Sequence, residues 1–169
     1  MRRFLLGLFT GVLLLPLCAF LYIRQGYAPV ATAAPPLPFE RRLTSMALNA
    51  RVAKEAPASS PVPVSDENLV AGANLYREYC SVCHGLRGMA KSTIAKGMFP
   101  SPPLLLHGKG VTDDPPGETY WKVQNGIRLT GMPAFTGSLT DGEMWQVTLL
   151  LANAGRLPPA AIAALDALK

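Results

Sequence analysis

The pattern of apolar and polar positions divides the chain into three parts. An uncharged apolar run extends from Phe4 to Ile23, and twenty such residues in a helix can cross the hydrocarbon core of a bilayer. The next stretch, residues 24–64, is rich in proline and alanine and is typical of a semi-extended linker. From residue 65 onward apolar residues recur at helical spacing, and no alternation typical of strands is evident. The pattern predicts a membrane anchor over 1–23, a linker over 24–64 and an all-α domain over 65–169.

Three main helices are predicted in the C-terminal domain. The first begins after Ser65, a suitable N-cap that is followed by two acidic residues. The second covers residues 117–124 and is ended by an Asn-Gly pair. The third begins at a capping-box pattern, in which Thr140 precedes Glu143 by three residues, and continues through an apolar run to Ala154.

The N-terminal apolar run has two interpretations. Arg2 and Arg3 before the run and Arg24 after it favour, weakly, a cytoplasmic N-terminus. A cleaved signal peptide is the alternative, with residues 31–33, Ala-Thr-Ala, as the cleavage signal. We favour a retained anchor, because the apolar run is longer than usual for a signal and the cleavage pattern lies well past its end. In either case the C-terminal domain is exported.

A short amphipathic helix is predicted inside the linker. The apolar residues on one of its faces are Phe39, Leu43, Met46, Ala47, Ala50 and Ala53. This face can rest on a membrane surface or on a partner, but we favour a solvated, partly formed linker helix.

Charge is unevenly distributed along the chain. The first 63 residues hold seven basic and two acidic residues, whereas nine basic and nine acidic residues follow, so the net charge of +5 belongs to the N-terminal part. The C-terminal domain is therefore not a basic docking module by composition. Binding of nucleic acid, which requires a basic patch on a folded domain, is not predicted.

The run Cys80-Ser81-Val82-Cys83-His84 carries the candidate chemistry. Cys-x-x-Cys-His is typical of covalent attachment of a c-type haem, with a histidine next to the thioethers as an iron ligand. A thioredoxin-like redox pair is one alternative, but it requires a βαβ context that the flanking sequence lacks. Zinc is another, but His84 and His107 are the only histidines that would complete such a site.

A second iron ligand is expected from a methionine, the usual partner of histidine in electron-transfer haems. Of the six methionines, Met89 and Met98 lie close to His84 in sequence, and Met144 belongs to an apolar helix. Met132 lies between a glycine and a proline in a segment that excludes helix and can present its sulfur to a flat ring. We therefore favour Met132. His107, in a glycine-rich loop, is a weaker alternative.

Together these motifs resemble a class I c-type cytochrome, of the small monohaem, membrane-anchored bacterial kind, over about the last hundred residues. The matching blocks are Cys-Ser-Val-Cys-His-Gly (80–85), Asn-Gly-Ile-Arg (125–128), Thr-Gly-Met-Pro-Ala-Phe (130–135) and Met-Trp-Gln-Val (144–147). The resemblance implies an all-α cytochrome c fold of about three to five helices around one covalent haem c, preceded by a single N-terminal transmembrane helix. It implies thioether bonds at Cys80 and Cys83, His84 as the proximal iron ligand and Met132 as the distal one.

The resemblance also implies contacts around the haem. A carbonyl near Pro100, Pro102 or Pro103 is expected to accept the second N–H of His84. Arg128 is a candidate for a bond to a haem propionate, with a solvated surface arginine as the alternative. The first and last helices are expected to cross through small and aromatic residues. The candidates for that crossing are Gly72 and Tyr76 against Trp145 and Leu149.

The predicted function is transfer of single electrons between periplasmic or membrane redox partners. A His/Met-ligated iron has no open position for oxygen or peroxide, which favours a carrier over an enzyme. The carrier would act alone or as the cytochrome subunit of a larger oxidoreductase. A haem enzyme or ligand sensor with a displaceable methionine is the alternative. The expected location is a bacterial inner membrane, crossed once, with the haem domain on the periplasmic side.

Overall fold

The computed structural model of the protein describes residues 1–106 and 114–167. Within these residues the chain is helical and contains no β-strand; a single isolated bridge joins Thr136 and Leu139. The chain divides into two compact units, Met1–Glu40 and Arg41–Lys169. The predicted all-α class is confirmed.

The first unit is dominated by helix α1, Arg2–Arg24, which carries Pro16 in its interior and has no buried residue. Its most apolar 18-residue window has a mean hydropathy of 2.5. The helix is long and apolar enough to cross a membrane, although a signal sequence near an N-terminus meets the same criteria.

Helix α2, Glu40–Glu55, corresponds to the helix predicted inside the linker, but it buries a different side chain. Leu43 and Met46, from the predicted apolar face, are exposed, whereas Val52 is only 2 % exposed. The period-3.6 pattern located the helix. The pattern did not identify the buried face of the helix, because tertiary packing buries Val52, which lies outside the predicted apolar face.

The haem-motif region begins with helix α3, Asp66–Leu75, which is capped by the Ser65 hydroxyl as predicted. A π-helical turn, Tyr76–Cys80, joins it to the short helix α4, Ser81–His84. A second short helix, α5, spans Thr93–Gly97. The nearly continuous run of α3, the π-helical turn and α4 carries both motif cysteines and the histidine.

Three further helices complete the second unit: α6, Pro116–Asn125; α7, Asp141–Ala152; and α8, Pro159–Asp166. The predicted second and third helices are confirmed as α6 and α7. The capping box of α7 is complete, since the Thr140 hydroxyl accepts from the Glu143 N–H while the Glu143 carboxylate accepts from the Thr140 N–H. Helix α8 was not predicted.

The core lies where α3 and α7 cross. A side chain at Gly72 would place its Cβ 2.2 Å from the backbone oxygen of Gln146 and 3.2 Å from Cβ of Leu150, so only glycine permits this approach. The predicted crossing at Gly72 is confirmed. Its direct neighbours are Gln146 and Leu150, although Tyr76 and Leu149 belong to the same core cluster.

Trp145 belongs instead to a second core cluster, formed mainly by α6 and α7. Its ring stacks on that of Tyr120, with ring centroids 4.2 Å apart and planes inclined by 12°. Met132 packs against the same cluster. The segment that was predicted to hold the iron ligand is therefore attached to the core.

Candidate functional site

A cleft with a largely apolar lining brings the predicted ligands together. Cys80, Cys83, His84 and Met132 all line it, although the histidine and the methionine are 48 positions apart in the chain. Its other walls come from α6, α7 and the loops that follow α5 and α6. The remaining lining residues are Tyr79, Met98, Pro100, Ser101, Pro102, Pro103, Leu105, Val123, Ile127, Thr130, Gly131, Pro133, Phe135, Val147 and Leu151.

The imidazole of His84 is oriented by a backbone carbonyl. Its Nδ1 lies 2.8 Å from the oxygen of Pro103, and since a carbonyl can only accept, Nδ1 must be the donor. Nε2 then keeps its lone pair for a metal, as in other sites where a second hydrogen bond fixes the ring. Among the three candidate prolines, the structure therefore identifies Pro103. Burial lowers the pKa of His84, the bond to Pro103 opposes this, and the charge of Lys91 lowers the pKa further.

The end of α4 is tied to the core by a buried tyrosine. The Tyr76 hydroxyl donates to the carbonyl of Gly85, the residue after the histidine, over 2.8 Å. Tyr76 is fully buried, and burial raises the pKa of its phenol, so it stays a neutral donor. Gly85 has φ +73°, a left-handed conformation that glycine adopts without strain. The helix thus ends at His84 and the chain turns toward the proline-rich loop.

The two motif thiols differ in their surroundings. Burial raises the pKa of Cys80 to about 12, and the neighbouring Cys83 adds to the shift through charge repulsion. A reactive redox thiol needs the opposite, a lowered pKa and access to solvent. The environment of Cys80 therefore disfavours the thioredoxin-like alternative.

Residues 126–136, here called the Met132 loop, are held by a set of short-range hydrogen bonds. The Ile127 N–H donates to the Met132 carbonyl over 3.2 Å, and the Met132 N–H donates to the Thr130 hydroxyl over 3.1 Å. Gly126, at φ +65°, starts the loop, and a Cβ there would lie 2.6 Å from the Ala134 nitrogen. The hydrogen bonds give the loop a defined conformation. Glycine is required at position 126 because the backbone there is left-handed and there is no space for a Cβ.

The Met132 loop is also attached to α6. The carbonyls of Val123 and Gln124 accept from the N–H groups of Phe135 and Thr136, over 3.1 and 3.4 Å. The Thr136 hydroxyl donates to the Gln124 carbonyl as well, over 2.7 Å. These bonds use carbonyls of the last helical turn, which have no partner inside the helix.

Met98 lines the cleft, whereas the sequence indicated only that it lies close to His84 along the chain. Its methyl group lies 1.7 Å from the position that a Cβ of Gly131 would occupy, so the side chain fills the notch left by that glycine. The contact joins the loop after α5 to the residue before Met132. No short-range pattern indicates it, because the two residues are 33 positions apart.

The other candidate residues are placed less centrally. Arg128 is exposed and is not among the residues that line the cleft. A role at a propionate stays a prediction for it. His107, the alternative ligand, lies outside the described residues. Within the described residues, no three or more His, Cys, Asp or Glu side chains come together as a metal site.

Comparison with known proteins gives a family match and partial similarity to larger proteins. Residues 67–150 match the family described as cytochrome c oxidase, cbb3-type, subunit III. A quinohemoprotein alcohol dehydrogenase, ADH IIB, of Pseudomonas putida is 28 % identical over 148 residues, which cover 77 % of this chain and 20 % of the dehydrogenase. The structure of a reducing HAO-like protein complex from Kuenenia stuttgartiensis aligns with a TM-score of 0.50 and 25 % identity, over 59 % of this chain and 49 % of that one.

The fold and the family match together identify the chain as a class I c-type cytochrome. It carries a covalently bound haem c and transfers electrons. The chain spans about a fifth of the alcohol dehydrogenase and about half of the chain of the solved complex. The similarity therefore covers only part of each of these proteins.

The described residues fit this cofactor. Two thiols on adjoining turns, an imidazole with one nitrogen kept free and a thioether all line one largely apolar cleft. The two thiols suit thioether bonds to the haem, whereas an imidazole nitrogen and a soft thioether sulfur are donors that would suit its iron.

Proposed function

We propose that the protein is a one-electron carrier whose haem iron is held by His84 and Met132, with Cys80 and Cys83 as the thioether residues. The observation that supports this most is the convergence of all four side chains on one cleft, with the His84 ring oriented by Pro103. When bound, haem c supplies a one-electron iron couple, and a histidine–methionine ligand pair raises its potential.

The protein's own residues keep the site closed and fixed. The Met132 loop is hydrogen-bonded to α6 and packed against the core, so contacts within the protein fix the position of the Met132 sulfur. Apolar walls exclude water, and a fixed geometry lets the electron move without large rearrangement. This is the arrangement of a carrier, whereas a ligand sensor needs a side chain that leaves readily.

We further propose that electrons are exchanged on the face formed by residues 82–99, next to the haem motif. Val82, Met89 and Ile94 are exposed apolar side chains in this segment, at 47 %, 58 % and 59 %. The segment carries Arg87, Lys91 and Lys96, and no acidic residue occurs from 79 to 106. Its local charge therefore favours an acidic partner, although the whole domain is balanced.

The partner and the location follow from the similar proteins and from α1. We propose that the chain serves as the cytochrome subunit or the immediate partner of a larger oxidoreductase, because it is similar to parts of a quinohemoprotein alcohol dehydrogenase and of a reducing HAO-like protein complex. With α1 as an anchor in a bacterial inner membrane, the haem domain would lie on the periplasmic side.

Carbon monoxide binding tests the closed site. The reduced full-length protein is expected not to bind carbon monoxide, because His84 and Met132 would both hold the iron and leave no position for it. Met132→Leu should open one position and bind it promptly. Met98→Leu is the matched control, since Met98 is a second thioether in the same cleft and leucine preserves its volume. Binding by the wild type, or by the Met98 variant alone, would contradict the proposal.

A further inference from the structure

Residues 52–62, here called the strap, precede the segment that matches the family but belong to the same compact unit as the haem domain. Val52 is 2 % exposed, and Val62 packs against both core clusters. The Ser60 hydroxyl donates to the Val62 carbonyl over 2.9 Å, which fixes the end of the strap. A free linker would show none of these features.

Two contacts attach the strap to α6. The indole N–H of Trp121 donates to the Glu55 carboxylate over 3.1 Å, and the same carboxylate pairs with Arg51 over 2.8 Å. At Gly117 an added Cβ would lie 1.8 Å from the Pro57 carbonyl oxygen and 2.9 Å from its carbon. These are backbone atoms, which cannot rotate away as a side-chain end can. The strap approaches α6 this closely only because residue 117 is glycine.

Helix α6 is also the support of the Met132 loop. Its last turn accepts the N–H groups of Phe135 and Thr136. In addition, Val62 of the strap and Met132 pack against the same cluster, which contains Tyr120 and Trp145. The strap and the Met132 loop therefore share one helix and one core cluster.

We propose that the strap is a positioning element for the axial methionine. By holding α6 through Glu55 and Pro57, it stabilises the helix end and the cluster on which the Met132 loop rests. This inference depends on the proposed role of Met132 as an iron ligand. It assigns to a segment outside the family match a part in the haem site, although no strap residue lines the cleft.

The test uses the full-length haem protein and imidazole, an exogenous ligand that competes with Met132 for the iron. Gly117→Ala should push the strap off α6 and lower the half-saturating imidazole concentration about fivefold or more. Trp121→Phe, which keeps the ring but removes the N–H, should lower it to a smaller extent. Gly142→Ala is the matched control, because Gly142 is also the second residue of its helix and has no atom within 4 Å of an added Cβ. It should stay within about twofold of the wild type.

Trypsin cleavage after Arg51 and Lys54 reports separately on the strap. Faster cleavage together with easier imidazole binding in Gly117→Ala supports the proposal. Faster cleavage with unchanged imidazole binding overturns it, as does unchanged cleavage. If Gly117→Ala does not fold, Trp121→Phe decides by the same two readouts. Met132→Leu distinguishes a failure of the strap proposal from a failure of the proposed ligation. If the absorption spectrum of this variant equals that of the wild type, Met132 is not the ligand.

Discussion

The two segments that supply the proposed iron ligands are built in different ways. His84 ends a helical run, and its ring and the following turn are fixed by bonds to Pro103 and Tyr76, within 19 residues of the histidine. Met132 lies in a non-helical loop whose position depends on α6, on the second core cluster and, by our proposal, on the strap. The His84 side is therefore fixed by residues nearby in the chain, whereas the Met132 side depends on contacts with distant elements. Mutations should affect the two sides differently.

The largest effect is expected at the proximal motif. Replacing Cys80 and Cys83 together by alanine removes both thioether bonds, so the denatured protein should retain no covalently bound haem. The measurement is haem staining of the protein after denaturing electrophoresis. Cys18→Ala is the control, because this third cysteine lies in α1 and should leave the staining unchanged. Full staining of the double variant would contradict the assignment.

A distal change should spare haem attachment and disturb ligation. Gly126→Ala puts a Cβ against Ala134 and Pro133 and forces alanine into a left-handed conformation. We expect the free energy of unfolding to fall by about 1–3 kcal/mol more than in Gly88→Ala, because of overpacking. Gly88 has a similar φ of +71°, but a Cβ added there would meet no atom within 4 Å, so Gly88→Ala isolates the backbone strain.

Thermal unfolding and the ferric absorption spectrum check this pair of variants. Covalent haem should persist in both, and only Gly126→Ala should weaken the methionine signature. Equal stability of the two variants would mean that the Met132 loop is not held where the structure places it.

Charge reversal on the proposed docking face should have a moderate effect on rate. Lys96→Glu is expected to slow oxidation of the reduced protein by ferricyanide, an anion, by about threefold at low salt and to speed oxidation by a cationic cobalt complex. Arg42→Glu, at an exposed position of α2 outside the strap, makes the same charge change as a control. Stopped-flow kinetics at two ionic strengths measure the rates. Equal effects of the two variants would argue against this face.

The smallest effect concerns the cap of α7. Hydrogen bonds from Thr140 lower the pKa of Glu143, so its ionised form is favoured in the folded protein. This stabilisation is present above the ordinary glutamate pKa and is lost as the pH falls through the lowered value. Glu143→Gln should therefore reduce the acid dependence of the melting temperature slightly. An unchanged dependence would show that the cap contributes nothing measurable.

The sequence predicted the elements that depend on nearby residues. The Ser65 cap, the Thr140–Glu143 capping box and the end of α6 at Asn-Gly are local patterns, and the structure shows each of them. The haem motif is a local pattern as well. The choice of Met132 over the other methionines also used local information, namely the flanking glycine and proline. Its role as ligand stays a prediction.

What the sequence did not predict depends on contacts between distant residues. The approach of Pro57 to Gly117, the bond from Trp121 to Glu55 and the contact of Met98 with Gly131 join residues far apart in the chain. The proline and alanine content of residues 24–64 indicated a linker. Composition alone cannot show that the domain covers Val52 and Val62. Tertiary packing decided these positions.

Near-infrared magnetic circular dichroism of the ferric full-length protein tests the central claim most directly, because the charge-transfer band identifies the axial ligand pair. We predict a low-spin signal of the histidine–methionine type. A bis-histidine signal, or a high-spin signal with water at the sixth position, would contradict the account.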